Sequence, residues 1–145
     1  MAVRIERLLA LEVGDRPLQA LPMSAHERRR VRRRVRAADG CEFELALPTG
    51  TSLPVGWVLH LSESCAYVIT AAAEVTLVVR PRDLREAALA GHTIGNLHRD
   101  VEVASDGSII TLHDEPLRSR LEGAGFVVAV EERPFHGSAA GEHQH

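Results

Sequence analysis

Six of the chain's eight histidines, His92, His98, His113, His136, His143 and His145, fall in its last part, and the final three sit in the polar, glycine-rich ending FHGSAAGEHQH. Imidazole is a borderline donor suited to nickel, copper or zinc, and two of them in an HxH ending suit labile rather than caged binding. His98 follows GHTIGNL, where Gly95 and Asn96 tolerate unusual backbone angles and predict a sharp turn that projects the imidazole from a fixed base. A histidine there equally serves as a helix cap or a shield for a sheet edge. His92, beside Gly91, reads as solvent-facing. His113 adjoins Asp114, which either caps the next helix or orients a ligand histidine. No HExxH, cysteine-rich knuckle or calcium loop is present, so a cage within one chain is not expected. One fixed histidine per chain is a poor site; two copies on a two-fold axis make a better one.

The elements that must position these residues change rhythm halfway along the chain. Ile5, Leu8, Leu9 and Val13 predict one or two edge strands; Phe43, Leu45 and Leu47 alternate as a half-buried strand after an Asp39-Gly40 turn. With Trp57 as a core piece and further strands at 57–59 and 66–69, the first half reads as a small, mostly antiparallel barrel or sandwich. From residue 74 the pattern is β, α, β, β, α, β. A strand at 75–79 leads to a helix capped by Asp83, with Glu86 at the capping-box position and Leu84, Ala87, Ala88 and Gly91 on one face. Strands at 101–103 and 109–112 flank the turn Asp106-Gly107. A second helix is capped by Asp114, with Pro116 in its first turn and Leu117, Leu121 and Ala124 on its buried side; Gly125 closes it before a strand at 126–130. That order is the ferredoxin-like one. The fold class is α+β, and such a fold hosts many functions.

Composition excludes more than it assigns. The 145 residues carry a net charge of -3, but residues 1–40 hold 10 arginines against 5 acids, and lysine is absent throughout. The run from Arg28 to Arg36 lacks the aromatic residues that stack on bases. It reads as a solvated face or a dock for an acidic protein surface, ahead of nucleic acid. GxSxG, P-loop and dinucleotide motifs are missing, which speaks against those enzyme classes. Cys41 and Cys65 are too isolated for a disulfide framework. No apolar run approaches the about 18 residues of a membrane span, and the N-terminus lacks a signal peptide's apolar core, so a soluble cytoplasmic protein is expected.

Taken together, LALPTG at 45–50, VLHLS at 58–62, TLVVRPRD at 76–83, IGNLH at 94–98, HDEPL at 113–117 and the histidine-containing tail resemble the urease accessory protein UreE family, in order and over nearly the whole chain. The resemblance implies a nickel metallochaperone without catalysis of its own, made of an N-terminal β domain for partner docking (1–73), a ferredoxin-like metal-binding and dimerisation domain (74–134) and a flexible tail (135–145). It implies a homodimer holding Ni(II), with Zn(II) or Cu(II) as other occupants, between the two His98 side chains, completed by His136, His143 or His145. It also implies delivery to a urease-maturation GTPase and the apo-urease accessory complex, with no nucleic-acid or membrane partner. The family's usual arginine before the histidine is Leu97 here. His113 is the auxiliary candidate, since Glu115 stands where some members have the second histidine of His-Asp-His. The runner-up reading is a metal-free docking module acting through the arginine-rich half.

Overall fold

The structure, a computed structural model, describes residues 1–8 and 12–137; Leu9, His143 and His145 lie outside the described residues. It is an α+β chain dividing into two compact units, the first ending at Ala72 and the second beginning at Ala73.

In the first unit, β1 (Val3–Ile5) pairs in parallel with β4 (Glu42–Ala46), which pairs antiparallel with β3 (Arg32–Arg36). A second sheet repeats this scheme: β2 (Leu18–Met23) is parallel to β6 (Ala66–Ala71), and β5 (Val58–Leu61) is antiparallel to it. The mostly antiparallel expectation is therefore corrected, because each sheet holds one parallel pair whose partners lie far apart in sequence. Ile5, Leu21, Phe43, Leu45, Leu59, Tyr67 and Ile69 contribute to one apolar cluster drawn from both sheets. Phe43 meets Tyr67 edge-on at 4.9 Å, and His60 packs on both rings, a structural role that accounts for that histidine. Trp57 is not a core piece: it is 46% exposed, just after the left-handed Gly56, while Val58 and Leu59 turn inward. The arginine run is split between α1 (Ala25–Arg29) and β3. Ser24 and Glu27 cap α1 reciprocally.

The second unit follows the order β7 (Ala73–Val79), α2 (Leu84–Asn96), β8 (Glu102–Val103), β9 (Ile109–Leu112), α3 (Glu115–Gly123), β10 (Val128–Pro134). Its sheet is antiparallel throughout, in the order β10-β7-β9-β8. Each strand-helix-strand crossover thus leaves one strand's space between its ends, filled by a strand of the other crossover. Asp83 caps α2 through the Glu86 amide at 2.7 Å, but the Glu86 carboxylate bonds Arg82 and forms no box. The buried face of α2 is Ala90 and Ile94 with Ala87 and Leu97, whereas Leu84 is exposed, since it lies in the first turn. Ala124 is likewise exposed, as the C-cap of α3 and not part of its buried side. Leu77, Val79, Ile109, Leu117 and Leu121 complete this core. Among the described residues no helix is long and apolar enough to cross a membrane.

Candidate metal site

His98 lies at the C-terminal end of α2. The helix closes on Leu97, and the His98 amide then bonds the Gly95 carbonyl at 3.0 Å while the Arg99 amide reaches the Ile94 carbonyl at 3.5 Å. These two bonds are the Schellman closure, which places the residue after the cap in the left-handed region, normally glycine's place. Here that residue is His98 itself, with φ 55°, the one non-glycine residue with positive φ among the described residues. The turn expected at Gly95 and Asn96 therefore falls on the histidine, and both of those residues belong to the helix. A side chain in left-handed backbone costs on the order of 1 kcal/mol relative to glycine. The imidazole is thus carried on a backbone that glycine adopts more readily.

The His98 side chain is exposed and has no hydrogen-bond partner among the described residues, so its ring nitrogens are open to an incoming ion. Its base is held from two directions. Arg99 Nη2 lies 2.6 Å from Asp114 Oδ2, and the buried Thr111 hydroxyl donates to the Asp100 carbonyl at 2.8 Å. The Asp114 carboxylate also accepts from the Leu117 amide, capping α3. Asp114 is thus a cap and an arginine partner, and it does not orient a histidine. Pairing with Asp114 also offsets the Arg99 charge, which would otherwise repel a divalent cation arriving at the adjacent imidazole. No sequence motif pointed to Arg99 or Thr111; the hint available was an arginine next to His98 and an aspartate next to His113.

The remaining candidates are dispersed. His113 Nε2 lies 3.4 Å from Glu115 Oε2, so the residue standing in the auxiliary motif's third position offers an oxygen donor beside the imidazole. The His136 amide donates to Glu102 Oε1 at 2.6 Å, with its Nδ1 3.4 Å from the same oxygen. This ties the start of the tail to β8, behind the fully buried Phe135. His92 is exposed on α2. Among the described residues no three His, Cys, Asp or Glu side chains converge on one point. Within one chain, then, His98 is a single well-presented donor. The chemistry open to it is ligation shared with donors from elsewhere.

No protein-family model matches the chain. The chain is 46% identical over 130 residues to the urease accessory protein UreE of Deinococcus radiodurans, spanning 90% of this chain and 83% of that protein. It is 45% identical over 125 residues to the urease accessory protein UreE of Synechococcus sp. strain JA-3-3Ab, spanning 86% and 83%. The protein of the same name from Chelativorans sp. strain BNC1 is 33% identical over 133 residues.

Proposed function

The chain belongs to the urease accessory protein UreE family, and from that premise we propose that it carries Ni(II) to urease during assembly of the active site. As a urease accessory protein it is not an enzyme; nickel is cargo, bound and released without turnover. Two copies pair through the second unit, whose strand order supports the ferredoxin-like reading, and the two His98 imidazoles face one ion across the two-fold axis. His136, His143 and His145 complete the shell from the tail, and His113 with Glu115 provides a peripheral site. Zn(II) and Cu(II) compete for the same nitrogens. The first unit docks partners, namely the urease-maturation GTPase and the apo-urease accessory complex, in the cytoplasm; neither nucleic acid nor membrane is a partner.

The observation that carries this reading is the exposed, unpartnered imidazole of His98 on a left-handed helix closure that glycine would fill at lower cost. Calorimetric titration of metal-free protein with Ni(II), with oligomeric mass followed in the same samples, tests it. About one tight ion per pair of chains is expected. A folded dimer without saturable binding would leave the docking reading, in which the histidines are incidental. Acidification should release the ion, because protons compete for the same imidazole nitrogens.

A further inference from the structure

β3 is an edge strand, paired with β4 on one side. The Leu47 amide bonds the Val31 carbonyl and the Ala37 amide bonds the Cys41 carbonyl, and the register between them pairs Arg33 with Leu45 and Val35 with Phe43. Hydrogen-bonded pairs recur at every second residue of an antiparallel ladder. Val31, Arg33, Val35 and Ala37 are therefore turned toward β4. The amides and carbonyls of Arg32, Arg34 and Arg36 are turned to the open edge, where no described residue bonds them.

The same three residues share one face of the sheet and are exposed. Arg4 on that face is paired with Glu6 and Glu44, whereas Arg32, Arg34 and Arg36 have no carboxylate within ion-pair distance among the described residues. A groove of about 380 Å³ opens beside them, lined by Arg4, Arg32, Arg34, Glu44 and Ala46 among others. Ala46 lies directly across from Arg32, so its methyl group leaves the space above the strand pair open.

From these features we infer that β3 is a docking edge for an extended acidic segment of a partner protein, which adds a strand beyond β3 and sets alternate carboxylates against Arg32, Arg34 and Arg36. This deepens the docking role proposed above for the first unit and does not depend on the metal reading. The backbone edge supplies register, and the guanidiniums supply selection: arginines on an open edge deter basic strands and self-pairing, while an acidic strand meets attraction. Each guanidinium can take a carboxylate on two parallel N–H donors.

The test uses the intact metal-free protein and a labelled peptide of about ten residues alternating glutamate and valine, the length that spans an edge of this size. Binding is expected to weaken at least tenfold for R32Q/R34Q/R36Q, at least tenfold for the peptide N-methylated at alternate amides, and markedly with salt. Amide exchange at Arg32, Arg34 and Arg36 should slow in the complex, while Arg33 and Val35, already bonded to β4, stay unchanged. The triple variant R85Q/R118Q/R120Q, in the second unit, makes the same change in net charge and should bind normally. Equal binding of the N-methylated peptide, or unchanged affinity in an R32Q/R34Q/R36Q variant that keeps the native circular dichroism, would overturn the inference. So would tighter binding of a single-stranded RNA of equal charge. Unchanged Ni(II) binding by R32Q/R34Q/R36Q separates this result from the metal reading.

Discussion

Arg99 and Asp114 meet at 2.6 Å, and they are the immediate neighbours of two candidate donors, His98 and His113. The contact ties the closure of α2 to the opening of α3. Because Asp114 also holds the Leu117 amide, one carboxylate fixes the start of a helix and the base of the His98 turn.

Two substitutions at Asp114 should separate these jobs. Asp114→Asn keeps a capping oxygen but loses the charge opposite Arg99, whose side chain is half exposed, so solvent screening limits the expected loss to under about 1 kcal/mol. Asp114→Ala removes both and should cost about 1–2 kcal/mol. Urea unfolding gives these values; equal losses for the two variants would mean that the cap contributes nothing.

The first unit carries a pH signature of its own. The Tyr67 hydroxyl donates to Asp39 Oδ2 at 2.6 Å, and this bond, with one from the Cys41 amide, holds the Asp39 carboxyl below the usual range. The folded value is lowered, so this contribution to stability is complete above the unfolded carboxyl's titration, near about 3.9, and is lost as pH falls through the folded value. Tyr67 is shifted up by the same bond, so its contribution is present below about 10 and lost as pH rises beyond that. In Tyr67→Phe the Asp39 carboxyl should titrate closer to its ordinary value, as followed by carbon NMR. An unmoved titration would show that the hydroxyl does not set it.

Arg33 is expected to be replaceable. Its side chain is 12% exposed, its Nε and Nη2 are buried without partners, and Nη1 is 3.6 Å from Glu27; burial holds the guanidinium below its usual range. Arg33→Met removes two unsatisfied donors and should leave stability unchanged or raise it by about 1 kcal/mol. A loss of more than about 2 kcal/mol in thermal or urea unfolding would mean that the guanidinium is better satisfied than this geometry allows.

The second unit was more legible in the sequence than the first, for a physical reason. Its helices announce themselves through Asp83, Asp114 and Pro116, all local signals within one turn of the feature that they cause. The strand β2 and its parallel pairing with β6 carry no such local mark, because Leu18 meets Ala66 across the intervening chain. Trp57 misled because size argues for burial, whereas the turn at Gly56 decides which way the ring points. At the candidate site, a sharp turn at the end of α2 was legible, two residues early. The left-handed backbone of His98 was not, since glycine at 95 and asparagine at 96 were the better local candidates, and the Arg99–Asp114 tie is a tertiary contact.

The tail should matter less than His98. Truncation after Phe135 removes His136, His143 and His145 and is expected to weaken or alter Ni(II) coordination while leaving a saturable site; complete loss would move the principal ligand into the tail.

Replacing His98 by glycine gives the most direct test, because backbone and ligand roles then change in opposite directions. The glycine relieves the left-handed strain and should stabilise the fold by on the order of 1 kcal/mol. Titrating metal-free wild type and His98→Gly side by side with Ni(II) should show about one tight ion per pair of chains in the first and none in the second, although the variant is the more stable protein. Unchanged affinity and stoichiometry in His98→Gly would contradict His98 as the ligand.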